Sequence, residues 1–240
     1  MEPAYARDYR NLYERHWWWR AREELVLDTL AGLRPDGNWG RILDVGCGDG
    51  LFFEKLSALG DVEGVEMDPT GMDPAGPSAS RIRVQPFDER FQPGHRYGLI
   101  VMLDVLEHFS DSGAALRRAV DLLAPDGRIL ITVPAFRTLW TSHDELNRHY
   151  TRFSRRELVK VVEGAGGVVE SCRYIFQWMA PLKLAQHVKE KILPAEPRVP
   201  RVPPDWINRL LRGLTRAEGK VLSVVSPPFG SSLLAVVARH

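Results

Sequence analysis

Only two cysteines, Cys47 and Cys172, occur in 240 residues. They form no CxxC pair and stand in no Cys/His cluster of zinc spacing, which excludes a disulfide scaffold and a structural zinc module. No metal site is expected. A chain so poor in cysteine is expected in a reducing compartment, the cytoplasm. There is also no apolar run near the roughly 20 residues that cross a bilayer. The polar, charged start lacks the apolar stretch of a signal peptide. Charge of one sign is missing too, since 32 Lys and Arg stand against 31 Asp and Glu. No nucleic-acid partner is expected from that balance, because such proteins concentrate basic residues on one face. Internal repeats are absent.

What is present is an ordinary globular composition, 44% hydrophobic and 26% charged. The length suits a single domain of residues 1–240 with a substantial core. Residues 5–33 read as helical, with Tyr9, Tyr13 and Trp17-Trp18-Trp19 clustered in them, until Arg34-Pro35-Asp36-Gly37-Asn38 breaks the pattern. Residues 1–34 thus form an N-terminal helical cap. Short apolar runs predict strands at 41–45, 62–66, 81–84, 97–103 and 128–133. Helical spacing predicts helices at 51–59 and 114–123, the second closed by Pro125-Asp126-Gly127. A Gly/Pro/Ser loop fills 72–80, where a helix would be expected. Ser154 with Glu157 makes a capping box for a helix over 154–163. Residues 167–178 and 232–238 supply two more strands. Between them, 179–225 is a helical insertion: a helix at 181–192, a proline-rich linker at 194–204 and a second helix at 205–225. The fold class is therefore α/β, a doubly wound, seven-stranded, mostly parallel sheet with a helical insertion before the last strand.

In such sheets the ligand lies beyond the carboxyl ends of the strands. The first strand runs Arg41-Ile-Leu-Asp-Val and opens into Gly46-Cys47-Gly48-Asp49-Gly50. Glycines at this density let the backbone turn sharply and approach a ligand closely. Asp44 and Asp49 put negative charge where a pyrophosphate would sit, so a cationic cofactor fits better. S-adenosylmethionine (SAM), a sulfonium with an amino-acid tail and an adenosine, is that cofactor. Backbone N–H groups from Gly46 through Cys47 to Gly48 would hold its carboxylate and Asp44 would attract its ammonium. Glu66, with Met67 beside it, ends the second strand and is placed for both ribose hydroxyls. Asp68 reads as a turn residue before Pro69. Phe87 and Asp88 offer a ring for stacking and an acceptor for the adenine amino group. Leu103 and Asp104 should line the methionine half, while Glu107 and His108 begin or cap a helix.

These elements together, Asp44-x-Gly-x-Gly-x-Gly, Glu66, Asp104-Val-Leu-Glu-His108 and Leu123-Ala-Pro-Asp-Gly127, resemble the class I SAM-dependent methyltransferases. The likeness covers roughly residues 40–170 and points to the small-molecule branch that includes ubiquinone-type O-methyltransferases. It implies a Rossmann-like fold. Trp17-Trp18-Trp19-Arg20-x-Arg22, Leu139-Trp140-Thr-Ser-His143-Asp144-Glu145 with His149 and Arg152, and Pro228-x-Gly230-x-Ser232-Leu233 resemble a bacterial subgroup more narrowly. Departures are Tyr97-Gly98 in place of Phe-Asp, Arg148 in place of Gly, and Phe153 in place of Tyr. Phe153 has no phenol, so a substrate role carried by that tyrosine does not transfer.

His143, Asp144 and His149 follow the fifth strand, above the cofactor's reactive end. They are the catalytic candidates, one as general base and another orienting it. A purely structural hydrogen-bonded cluster is the equal alternative. Three consecutive tryptophans cannot share one helix face. Core packing suits most of them, with Trp19 the one to cover the cofactor. Arg22, or Arg20, would reach a carboxylate or else form a surface salt bridge. The basic insertion is a substrate lid, a dimer face, a membrane-surface contact or a helix packed on the sheet edge.

The expected function is methyl transfer to O, N or C of a small-molecule acceptor, a sugar, quinone or lipid-linked compound, releasing S-adenosylhomocysteine (SAH). A non-catalytic SAM-binding partner subunit and an NAD-linked oxidoreductase are the alternatives. The glycine loop, one residue tighter than GxGxxG, speaks against the latter.

Overall fold

The computed structural model describes residues 3–33, 37–193, 199–222 and 227–240. The expected break at 34–36, the first part of the linker at 194–198 and the end of the last helix at 223–225 lie outside the described residues. In chain order the elements are α1 (Pro3–Arg15), α2 (Trp17–Gly32), β1 (Arg41–Val45), α3 (Phe53–Leu56), β2 (Asp61–Glu66), β3 (Ile82–Val84), β4 (Tyr97–Leu103), α4 (Ser112–Leu122) and β5 (Leu123–Pro134). They continue with α5 (Ser142–Leu146), α6 (Arg155–Gly164), β6 (Gly167–Ile175), α7 (Met179–Ile192), α8 (Asp205–Leu222) and β7 (Ser232–Arg239). Single helical turns stand at Pro69–Gly71, Ala79–Arg81, Leu106–His108 and Arg137–Leu139.

Strand side chains alternate between two faces, and both faces here are apolar. Leu43, Val45, Ile100, Met102, Ile129 and Ile131 enter one core with α4 and α6 residues such as Leu116 and Leu158. Their neighbours Ile42, Leu99, Val101 and Leu130 enter a second core with Leu12, Val26, Leu30 and Phe53. This two-sided burial selects a sheet covered by helices on both faces. The strand order is β3-β2-β1-β4-β5-β7-β6. β7 alone runs antiparallel, paired to both β5 and β6. The expected seven-stranded, mostly parallel α/β sheet is what the chain forms. The order reverses between β1 and β4, which pair directly, and the connections after these two strands go on to opposite faces of the sheet, through α3 and α4, leaving a crevice at this edge.

Four local expectations change. The N-terminal helix is two helices, because His16 stands extended between them and its side chain accepts from Trp18 N, capping α2. The helix expected at 51–59 shrinks to α3, with turns on either side. β5 begins earlier than expected, at Leu123, and the Pro125-Asp126-Gly127 excursion is absorbed as a register shift against Tyr97 and Leu99. The strand expected to run to 178 ends at Ile175, where Phe176 turns to φ +57°. The capping box of α6 forms as read, Ser154 and Glu157 bonding reciprocally.

The cap and the insertion are tied to the domain by polar contacts. Glu23 accepts from Tyr13 at 2.5 Å and pairs with Lys55, joining α1, α2 and α3. Arg212 and Arg216 of α8 both pair with Glu24 of α2. Ser142 N donates to Glu190 of α7 at 2.7 Å. α7 and α8 are thereby held above the carboxyl ends of the strands.

Candidate active site

β1 ends in a turn whose glycines are required for two different reasons. Gly46 has φ +71°, and a Cβ there would meet Val105 Cγ2 at 2.4 Å, so the turn packs directly on the loop after β4. Gly48 has φ +53°, and a Cβ there would meet nothing within 4 Å, so its open side faces the crevice. The backbone N–H groups of the turn are already committed. Gly46 N donates to Val65 O at 2.8 Å, Gly48 N to Glu66 Oε2 at 2.9 Å and Gly50 N to Cys47 O at 2.9 Å. In this structure the turn's N–H groups thus bond within the protein. Glu66 Oε1 also accepts from Asp68 N at 2.9 Å, which aims both carboxylate oxygens along the rim of the turn. Asp68 caps the next helical turn through Thr70 N, as expected of a turn residue.

Asp104, at the end of β4, has φ +53°. Its N–H donates to Thr132 O at 2.9 Å, and its carboxylate pairs with Arg22 and accepts from Thr132 Oγ1 at 3.2 Å. Arg22 is buried, lies 5.0 Å from the Trp18 ring centroid, and its Nε has no hydrogen-bond partner among the described residues. Trp17, Trp18 and Trp19 all line the cavity, although they cannot share a helix face. They manage this because α2 presents its N-terminal end to the cavity, and side chains of a first turn fan around that end. Trp17 meets Trp178 at 5.3 Å and Trp19 meets Tyr9 at 6.2 Å between ring centroids. Arg20 pairs with Glu23 at 3.0 Å, and because that carboxylate is buried the pair belongs to the junction of α1, α2 and α3 rather than to the surface.

The loop after β5 is organised by Asp144, which is fully buried. Arg152 Nε and Nη2 reach its two oxygens at 2.8 Å each, His149 Nδ1 lies 2.8 Å from Oδ1, and Thr141 N donates to Oδ2 at 2.8 Å. These donors hold the Asp144 carboxyl well below the usual carboxylate range against the opposing effect of burial. With Asp144 ionised, His149 Nδ1 must donate, which leaves Nε2 as the acceptor in the neutral ring. Burial, with Lys183 nearby, pushes His143 down to about 4, and burial beside His149 does the same for His108. Burial and the Asp104 charge raise Glu107 well above the ordinary value. Glu107, His108 and His149 each bring a donor atom within 4.8 Å of the others. Sequence spacing does not reveal this grouping, because His149 arrives from beyond β5. Phe153 is buried, and its backbone bonds to Pro134 and Phe136, so the ring is core rather than site.

One cavity of about 1840 Å³ joins these groups. Of the expected residues, Gly46, Gly48, Glu66, Met67, Phe87, Asp88, Leu103, Asp104, Trp19, Arg22, His143 and His149 are on its wall. Asp44, Cys47 and Asp144 are not. Asp44 is buried under the turn, and burial together with Glu66 raises its carboxyl to about 7. The Cys47 thiol points at Gly64 rather than outward, because a Cβ on Gly64 would meet its Sγ at 2.4 Å. Motif spacing assigns no individual role to Trp178, Leu182 or Lys183, which also line the cavity. The signal for Lys183 is its helical spacing with Gln186 and Glu190, which makes a polar stripe on α7.

A doubly wound sheet with its glycine turn, post-strand acids and crevice at the switch between β1 and β4 defines a Rossmann-like cofactor-binding domain. A family model described as the methyltransferase domain matches residues 18–171, and the chain belongs to that family, the class I SAM-dependent methyltransferases. A ubiquinone biosynthesis O-methyltransferase of Azorhizobium caulinodans is 33% identical over 139 residues, 55% of this chain and 51% of that protein. One of Rhodopseudomonas palustris is 29% identical over 178 residues, 70% of this chain and 60% of that protein. The chain thus spans between half and three-fifths of the length of these curated relatives. Among solved structures, a putative methyltransferase in complex with the Trm112 activator of Haloferax volcanii superposes with TM-score 0.60 at 19% identity, over 98% of this chain and 94% of that one. A TehB-like SAM-dependent methyltransferase of Corynebacterium glutamicum superposes with TM-score 0.55 at 20% identity, over 99% and 97%. These two share the fold.

Proposed function

We propose that the chain binds SAM and transfers its methyl group to a hydroxyl of a small, ring-bearing acceptor. The observation that carries this is the continuity of one cavity from Glu66 and Asp104 to His149. Pockets for single ligands typically hold about 300–1,000 Å³, so this cavity has room for a cofactor and an acceptor together. The relatives named as ubiquinone biosynthesis O-methyltransferases support oxygen as the attacking atom.

In this reading Glu66 takes the ribose hydroxyls, with Phe87 and Asp88 on the adenine. Arg22 takes the methionine carboxylate in place of the occupied backbone N–H groups. Asp104, at the carboxyl end of β4, faces the cationic end. The acceptor hydroxyl sits under the loop after β5, and His149 Nε2 receives its proton. Asp144 fixes the tautomer and never takes the proton itself. Residues His143 and Asn147, joined at 3.2 Å, shape the wall beside it. The acceptor oxygen attacks the methyl carbon, the carbon–sulfur bond breaks, and SAH leaves with the electron pair on sulfur. Alignment and exclusion of water supply most of the advantage. Residues 1–34 and 179–225 act as the cap and insertion of one domain, closing over both ligands. The insertion also makes a peripheral contact with a lipid surface.

Calorimetry tests the core of the reading. SAM and SAH should bind and NAD should not. Glu66→Ala should weaken SAM by roughly 1–3 kcal/mol through lost charge-assisted hydrogen bonds. Binding of NAD, or SAM affinity indifferent to Glu66, would sink it.

A further inference from the structure

Basic residues on the cavity wall are left without a role in this reading. Arg148, Lys183 and Lys189 line it, together with the acids Glu107 and Glu190. Lys183 is half-buried on α7, faces the cavity, and has no hydrogen-bond or ion-pair partner among the described residues. It is close enough to Asp144, Asp104 and Glu190 to feel their charge. Each of these acids is already engaged by other donors. Asp144 is saturated by Arg152, His149 and Thr141. Asp104 is held by Arg22 and Thr132. Glu190 accepts from Ser142 and Gln186. A desolvated ammonium left alone is costly. Burial, reinforced by Arg152, lowers Lys183 to about 8, so the group is still a cation at neutral pH.

Arg148 supplies an independent sign. It has φ +56°, a left-handed conformation that suits glycine, and it stands exposed on the wall of the same cavity. A non-glycine residue held there is strained, and such residues cluster at active sites and ligand clamps. Arg148 precedes His149 directly and follows Asn147, which bonds to His143. It therefore sits on the same loop that faces Lys183.

We propose that Lys183 and Arg148 form an oxyanion-binding subsite, and that the acceptor carries a carboxylate or phosphate group beside the hydroxyl that is methylated. The proposal rests on the reading that the cavity holds an acceptor beside its cofactor. These two cations would then hold the acceptor's oxyanion and so orient its hydroxyl toward the methyl group.

The test is a titration of the SAH-saturated protein with benzoate, phenyl phosphate and benzyl alcohol, read by saturation-transfer NMR. At least one anion should bind more tightly than the neutral alcohol, and which one does identifies the oxyanion. Lys183→Met should weaken that anion by about fivefold or more, with SAH and benzyl alcohol affinities unchanged. Arg148→Gly should lose anion affinity while raising the melting temperature, since glycine relieves the backbone strain. Equal binding of all three probes, or anion binding that survives both substitutions, would overturn the subsite. Failure of the wild-type protein to bind SAH would instead count against methyl transfer.

Discussion

Asp44 and Glu66 are both acids at strand ends, yet their surroundings give them different work. Glu66 lies on the cavity wall and is held by two backbone donors. Asp44 is buried, and burial with the Glu66 charge raises it to about 7. Because its folded pKa lies above the ordinary 3.8, the folded state holds this proton the more tightly. The resulting stability is full below that ordinary value and is lost as pH rises through about 7. A cation bound above the turn favours the ionised form, so cofactor binding should expel a proton. SAM affinity should therefore rise with pH through about 7, with proton release seen by calorimetry in buffers of different ionisation enthalpy. Asp44→Asn should abolish the proton release. A wild-type protein that binds SAM without releasing protons near that pH would place Asp44 beyond the reach of the cofactor's charge.

The loop from β5 to α6 behaves as one element because a single buried ion pair organises it. Asp144 and the Arg152 side chain are almost completely buried and joined by two hydrogen bonds, and Arg152 also donates to Ala135 O at 3.1 Å. Removing one partner of such a pair leaves an unpaired charge in the interior, which typically costs about 3–5 kcal/mol. Asp144→Leu should lower thermal stability by that order, and adding Arg152→Met should restore much of it. His149→Ala removes neither charge, so it should slow turnover with little loss of stability. Thermal melts and single-turnover rates on the three variants separate these effects. An Asp144→Leu protein as stable as the parent would show that the loop is held by other contacts.

At the scale of the whole molecule, α7 and α8 turn apolar side chains outward. Leu184, Val188 and Ile192 are exposed on α7, and Trp206, Leu210 and Leu214 on α8. Lys189, Lys191, Arg201 and Arg209 stand exposed among them. Two of the acids on these helices face inward instead, Glu190 bonding to Ser142 and Glu218 to Trp178 N. No described helix is long and apolar enough to cross a membrane. A basic, apolar outer face of this kind suits the surface of an anionic bilayer, where each basic residue contributes about 1 kcal/mol. Leu182 and Leu193 belong to both this exposed face and the cavity wall, so a lipid-linked acceptor would enter from the surface directly. The protein should co-sediment with vesicles containing phosphatidylglycerol and not with phosphatidylcholine alone. Trp206→Ser with Leu210→Ser should reduce that binding. Indifference to vesicle charge, or full binding by the double variant, would remove the membrane contact.

The sheet and the edge at which its post-strand residues gather were legible in the chain itself. Apolar runs alternating with helical spacing dictate parallel strands, and in parallel strands the residues after each carboxyl end share one edge. Asp44 to Gly50, Glu66 and Asp104 are therefore neighbours by topology, whatever their separation in sequence. The capping box of α6 was equally local, since both of its partners lie within one turn. Tertiary structure alone decided the rest. It turned Cys47 inward, bonded the turn's N–H groups within the protein, and brought all three tryptophans to one cavity at the end of α2. It also set His149 on Asp144 and left Lys183 without an ion-pair partner among the described residues. Those outcomes depend on which groups from distant segments reach one another, on how much water packing removes, and on how many hydrogen bonds each group has already spent. Neither spacing nor composition records any of the three.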